Sequence, residues 1–269
     1  MKTKGFGATD IGRRRSNNED TYFSDDELGL YVVCDGMGGM SGGEVAAWEA
    51  SKSVAEFFVT NELLLTGARR TGDFDRLVSM AIEAVKLASS NIWKISEQQN
   101  MGGMGTTLTM LIVAGHKGVV ASVGDSRAYL VHDRELVQVT KDHTYAEELQ
   151  YSGLDVEYVR NYRHVLTRVV GYEESVEVDT FLVDLAPCDR VLLGSDGLSN
   201  YFDDLDELRQ YVIEEPVATL PDLLVAMANE RGGIDNITAV VVDVIPASSL
   251  QAHLHNRKGW SNSLPSEQR

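Results

Sequence analysis

The residues best equipped for chemistry in this chain are carboxylates, and they recur at one kind of place. The apolar run Tyr31–Cys34 stops on Asp35-Gly36, the run closing at Gly124 meets Asp125-Ser126, and Val191–Gly194 leads through Ser195 to Asp196-Gly197. Asp235-Asn236 stands directly before Ile237–Val244, and Glu19-Asp20 directly precede Thr21-Tyr22-Phe23. Each carboxylate sits where a buried strand meets a loop, a rigid place from which to hold a ligand. If these strand ends share one edge, mutual repulsion forbids their meeting in a dry site unless cations intervene or protons are shared. Oxygen donors with no Cys or His in the motifs select hard ions such as Mg²⁺ or Mn²⁺ over zinc. More carboxylates than one ion can use imply two or three ions. The glycines after Asp35 (Gly36, Gly38, Gly39, Gly42 and Gly43) let backbone approach such ions and let Gly36 offer its carbonyl. A single Asp-Gly after a strand is most often a plain turn; the argument rests on the recurrence.

Such a site needs a frame of strands that end together. Periodicity predicts strands near 3–10, 20–24 and 29–34, then helices near 42–60 and 73–98, the first opened by a capping box at Ser41 to Glu44. Strands near 106–114, 118–123, 127–132 and 135–139 follow with short turns, so they pair antiparallel. The polar segment 140–171 reads as a short helix plus irregular chain. Strands return near 176–184 and 190–194, Asp204 with Glu207 and Thr219 with Asp222 open two helices, and a last strand covers 237–245. Several strands are apolar without alternation, which requires cover on both faces. The fold class expected is therefore α+β, two packed sheets with helices outside. The stretch from Ala247 to Arg269 is polar and unpatterned and reads as a mobile tail.

At 269 residues, 43% hydrophobic and 24% charged, the chain has the composition of a folded domain. A net charge of −17 without segregated basic stretches argues against a nucleic-acid binder and suits a protein that holds divalent cations. No apolar run has the length of a membrane span, and the first residues lack the apolar core of a signal peptide. Cys34 and Cys188 each lie in or beside an apolar run and read as buried free thiols, pointing to the cytoplasm.

The segments DIGRRRSNNED (from Asp10), VVCDGMGGMSGGEVA (from Val32), GMGTTLTMLIV, VGDSRAYL, TKDHT, VLTRVVG, LGSDGLSN and RGGIDNITAVVV, in this order, resemble the metal-dependent protein phosphatase family (PPM, type 2C) in its bacterial form. The resemblance runs from about Gly5 to Val244. It implies a four-layer α-β-β-α sandwich of two antiparallel sheets flanked by helix pairs, with a catalytic domain over 1–246 and a flap at 140–171. Carried over residue by residue, Asp35 resembles the carboxylate bridging two metals and Gly36 the carbonyl ligand. Asp196 and Asp235 resemble ligands of the first metal, Glu19 a ligand of the second with Asp20 an acid behind it, and Asp125 a ligand of a third ion shared with Asp196. Arg15 falls where the family clamps the substrate phosphate, whereas Arg13 and Arg14 read as solvated surface.

The implied chemistry is hydrolysis of phosphoserine and phosphothreonine in proteins by water activated between two or three Mn²⁺ or Mg²⁺ ions, opposing a bacterial Ser/Thr kinase, with no phosphoenzyme. A monomeric protein acting on phosphoprotein partners is expected. Met37 stands where relatives outside bacteria carry a His that serves as proposed acid, which leaves His143 as a candidate. Asn200 replaces an acid common in relatives near the third ion. In the flap, Arg160, Arg163, His164 and Arg168 are candidate phosphopeptide contacts, and Met37, Met40, Met101 and Met104 read as packing. The alternative reading is a catalytically weak phosphoprotein-binding regulator of the same fold; a regulator acting on an anti-sigma antagonist, or a calcium-storing domain, stand further off.

Overall fold

The computed structural model describes residues 1–38, 42–99, 102–149, 159, 161–202, 204–246 and 259–260. Among the described residues, twelve strands carry the architecture: β1 (Lys2–Asp10), β2 (Asp20–Asp25), β3 (Leu30–Met37), β4 (Gly105–Thr106), β5 (Leu108–Ala114), β6 (Lys117–Val123), β7 (Arg127–His132), β8 (Glu135–Gln138), β9 (Asp179–Asp184), β10 (Arg190–Gly194), β11 (Ile237–Ile245) and β12 (Gly259–Trp260). The helices are α1 (Gly42–Thr60), α2 (Glu62–Thr71), α3 (Phe74–Gln99), α4 (Tyr145–Leu149), α5 (Asp196–Ser199), α6 (Leu205–Glu214) and α7 (Leu220–Glu230). One sheet has the order β1-β11-β10-β7-β8 and the other β12-β2-β3-β5-β6-β9, with β4 alongside β3, and every pairing is antiparallel.

The uninterrupted apolar strands are explained by what covers their two faces. On β3, Leu30, Val32 and Cys34 pack with α1, α2 and α3, while Tyr31 and Val33 point into the space between the sheets. On β11, Ile237, Ala239 and Val241 pack with α6 and α7, while Val240, Val242 and Val244 meet the other sheet. Three apolar layers therefore separate four layers of structure, the α-β-β-α sandwich expected. Small residues let α1 and α3 approach each other: Ala46, Ala47 and Ala50 on one, Ala81, Ala84 and Ala88 on the other, all fully buried.

Several elements differ from the periodicity reading. The chain turns at Asn61 into α2, which ends in a left-handed Gly72 (φ 70°) whose N–H returns to the Ala68 carbonyl. The short α5 follows β10 directly. β3 continues through Asp35 and Gly36 to Met37, because β4 pairs there, Gly36 with Thr106 and Met37 with Gly105. Asp204 caps α6 by accepting the Asp206 N–H. Both cysteines are free as expected, but only Cys34 is buried; Cys188 is exposed on a turn with φ 76°. Ser41, Met40, Met101 and Arg160 lie outside the described residues, as does the 247–269 segment apart from β12, where Trp260 pairs with Phe23 of β2.

Candidate active site

Strand direction brings the predicted carboxylates to one edge of both sheets. β2 starts at Asp20 and the antiparallel β3 carries Asp35, and these two residues are direct cross-strand partners. Asp125 lies in the turn from β6 to β7, whose first residue Arg127 pairs with Gly194 at the end of β10. Gly194 also pairs with Ala239 near the start of β11, so Asp196 and Asp235 arrive at the same edge.

Hydrogen bonds stitch the sheets together here. Ser195 Oγ donates to Asp20 Oδ2 at 2.8 Å and accepts the Thr238 N–H at 3.0 Å. Asn236 accepts the Glu19 N–H at 2.8 Å through Oδ1 and donates through Nδ2 to the Ile11 and Asn17 carbonyls, both at 2.9 Å. Thr107 holds Asp35 from the other side: its Oγ1 accepts the Asp35 N–H at 3.0 Å, and its own N–H donates to the Asp35 carbonyl at 2.8 Å. Gly36 is clamped on both flanks. A Cβ there would sit 2.1 Å from the Gly43 carbonyl oxygen and 2.7 Å from that of Glu19. The N-terminus of α1 thereby rests against Gly36 and Glu19, its dipole favouring the negative charge.

The electrostatics are those of a cluster short of positive charge. Burial pushes the Asp20 carboxyl up to about 7, with Asp196 and Asp235 adding to the rise against hydrogen bonds from Thr238 and Ser195. Burial raises Asp125 to about 8, helped by Asp196 and Asp142. Asp35, partly open to solvent, is held well above the carboxylate range by burial and then by Asp20, Asp196, Asp125 and Asp235. Glu19 is also raised by burial, opposed by Asn17 and Arg15.

Arg15 brings a positive charge to Asp235 at this edge. Its Nη2 donates to Asp235 Oδ2 at 2.6 Å, and this bond raises its own pKa. Arg13 and Arg14 are exposed. Asn200 donates to Asp196 Oδ2 at 3.2 Å. In the flap, Arg163 is exposed and donates to His164, whose Nδ1 lies 3.9 Å from Asp196. Arg168 pairs with Asp179 and Glu177, and His143 is buried beside Gly124. Met104 is buried in the core under α1 and α3, as packing requires. Asn236, Ser195 and Thr107 had no assigned role in the sequence reading, although each lies inside or next to a carboxylate motif.

Among the described residues, no three His, Cys, Asp or Glu side chains are grouped closely enough to hold one ion by themselves. The donor set nonetheless fits Mg²⁺ or Mn²⁺. Those ions keep several waters and take few protein carboxylates each, and the raised carboxyls are the groups that a divalent charge would return to the ionised form. All the side-chain donors are oxygens, and Gly36 brings a backbone carbonyl close to Glu19 and Gly43.

The protein phosphatase 2C family model matches residues 9–220. The serine/threonine phosphatase stp of Listeria monocytogenes is 33% identical over 241 residues, which span 87% of this chain and 93% of that protein. The serine/threonine phosphatase PstP/Ppp of Mycobacterium tuberculosis superposes with a TM-score of 0.79 at 30% identity, over 91% of this chain and all of that one. The PstP catalytic domain, solved in complex with two manganese ions, superposes with a TM-score of 0.77 at 31% identity, over 91% of this chain and 99% of that one. The motif order, the layered sandwich and these matches agree: the chain belongs to the protein phosphatase 2C family.

Proposed function

We propose that this protein hydrolyses phosphoserine and phosphothreonine in other proteins and that the reaction depends on Mn²⁺ or Mg²⁺. One observation carries the reading: Asp20 and Asp35 face each other across β2 and β3, with Asp125, Asp196 and Asp235 close enough to raise the Asp35 carboxyl and Arg15 beside them. Asp35 would serve two ions, with Asp196 and Asp235 holding the first, Glu19 the second, the Gly36 carbonyl adding a further ligand, and Asp125 with Asp196 holding a third. Divalent ions held there would lower the pKa of a water and offset charge on the phosphoryl oxygens.

The chain's own residues orient the substrate. Arg15 holds Asp235 through one nitrogen of a planar fork that also matches two phosphoryl oxygens, so an arriving phosphate dianion takes over its donors. Asp20, tied to Ser195 and Thr238, backs Asp35 with negative charge instead of meeting substrate. Met37 carries no acidic proton, so protonation of the leaving serine or threonine oxygen falls to water. In the flap, His164 lies 3.9 Å from Asp196 with Arg163 donating to it, which supports this pair as the flap's contact to phosphopeptide.

Such monoesters are made by protein Ser/Thr kinases, so the enzyme opposes one, as a monomer in the cytoplasm. Both cysteines are free, in keeping with a reducing compartment, and among the described residues no helix is long and apolar enough to cross a membrane. The relatives named as serine/threonine phosphatases support the substrate class. The test is phosphate release from a phosphothreonine peptide with Mn²⁺, Mg²⁺, Ca²⁺ or chelator. Turnover with Mn²⁺ that chelator abolishes is expected. Turnover persisting in chelator, or a wild-type rate in Asp35→Asn, sinks the mechanism; peptide binding with no turnover under any ion favours the regulator instead.

A further inference from the structure

Among the described residues, His143 is the one histidine whose ring is buried against the carboxylate edge, and both of its nitrogens are engaged. Nδ1 accepts the Gly124 N–H at 3.1 Å, and the His143 N–H donates to the Gly124 carbonyl at 2.9 Å. Both backbone polar groups of Gly124 are therefore satisfied by this single residue. Because Gly124 N–H must meet a bare nitrogen, the ring proton sits on Nε2, which faces Asp179 Oδ2 at 3.3 Å. Arg168 then fixes Asp179 at 2.5 Å and lies 3.3 Å from the same Nε2. Burial lowers the His143 pKa, in accord with a neutral ring.

Gly124 is the residue before Asp125, and it has little room to move. Its φ is 99°, and a Cβ there would lie 2.6 Å from the Thr107 side chain. Thr107 Oγ1 in turn pairs with Ser126 Oγ at 2.7 Å and accepts the Asp35 N–H. The turn that carries Asp125 is thus gripped from two sides, by Thr107 toward Asp35 and by His143 toward the flap. The same His143 closes the flap's neck, since its carbonyl accepts the Thr167 N–H at 2.9 Å and the next residue, Thr144, bridges to Leu166.

We propose that His143, fixed by Asp179 and Arg168, is a positioning residue that sets the Gly124–Asp125 turn, tunes the third ion's site and ties it to the flap. This rests on the reading of Asp125 as a group that holds that ion. It gives His143 a task other than proton donor or phosphopeptide contact, because neither ring nitrogen is left to reach a substrate.

The test is a Mn²⁺ titration followed by electron paramagnetic resonance, which counts bound ions without reference to turnover. In wild type, tight ions and a weaker class are expected. His143→Leu should weaken the weaker class by about tenfold and leave the tight class alone, with lost kcat restored by added Mn²⁺. His143→Asn places an oxygen near the Nδ1 position and should stay within about threefold of wild type, whereas His143→Gln reaches instead toward the Nε2 position and should resemble His143→Leu. If the Leu variant fails to fold, the Asn and Gln pair decides. A folded Leu variant with unchanged weak binding, or Asn and Gln variants that behave alike, overturns the proposal. Asp125→Asn separates the two levels: if it too keeps the weaker class, the assignment of Asp125 fails and the proposal falls with it; if it loses that class while His143→Leu does not, only the positioning role fails.

Discussion

Asp20 and Asp35 are directly opposite one another on neighbouring antiparallel strands, a placement in which like charges destabilise a sheet. Both carboxyls are pushed up, first by burial and then by their acidic neighbours. A sheet that keeps such a pair holds it for something other than stability. Replacing Asp35 with Asn removes one member of the repelling cluster and keeps the shape. The metal-free variant is expected to melt a few degrees higher than wild type, about 3–6 °C for one or two kcal/mol of relieved repulsion, while Mn²⁺-dependent hydrolysis falls by at least ~100-fold. Melting in chelator and turnover in Mn²⁺ measure the two effects. A metal-free melting temperature that falls would show that Asp35 is a structural acid.

The same shifts set how the metal-free protein responds to pH. Asp20 (about 7), Asp125 (about 8), Asp35 and Glu19 all have folded-state values above the ordinary carboxylate value near ~4. The folded state therefore binds more protons than the unfolded chain between about pH 4 and 8, and stability is lost as pH rises through that window. In chelator, the melting temperature is expected to drop by at least ~5 °C between pH 5.5 and 8. Mn²⁺ binds the ionised carboxylates of the folded state, so its stabilisation should be larger at pH 8 than at pH 5.5. A chelated protein whose melting temperature stays flat or rises over this range would contradict the cluster.

What the sequence disclosed about this site and what it hid divide along a physical line. Asp35, Asp125, Asp196 and Asp235 could be singled out because each interrupts an apolar run or abuts one, which is a local signal. That Asp20 lies opposite Asp35 is a matter of register between strands, and no local composition carries it. β3 was expected to end before Asp35, since glycine weakens a strand. It continues because Gly36 is held between β4 and the N-terminus of α1. α5 is only four residues long, too short to show a period. Asn236 reads as a turn residue, and its role as the link between Ile11, Asn17 and Glu19 emerges only once chain segments distant in sequence meet.

Arg15 is the group whose replacement should separate substrate binding from metal binding. In the structure it spends one nitrogen on Asp235 and keeps about half of its side chain in solvent, ready to turn. Arg15→Lys preserves the charge beside the carboxylates and loses the two-pronged geometry that matches a phosphate. The expected outcome is a KM for phosphopeptide raised about tenfold, a smaller fall in kcat, and a Mn²⁺ activation midpoint close to wild type. A variant that moves the Mn²⁺ midpoint and leaves KM alone would assign Arg15 to the carboxylates and not to the substrate.

Asn236 offers the sharpest check on the frame itself. It is almost fully buried, and its amide satisfies the Glu19 N–H and the carbonyls of Ile11 and Asn17 at once. Asn236→Ala leaves those three groups without their partner, at a cost of about 2–4 kcal/mol in urea unfolding. Asn236→Asp keeps an acceptor for Glu19 N–H, but it turns the two donors into oxygen facing oxygen and adds a negative charge to an acidic edge. It should therefore be at least as destabilised, despite being the closer match in shape. Because Glu19 is held through its N–H, both variants should also bind Mn²⁺ more weakly in titrations on the folded protein. An alanine variant within ~0.5 kcal/mol of wild type would mean that the two sheets are held together at this edge without Asn236.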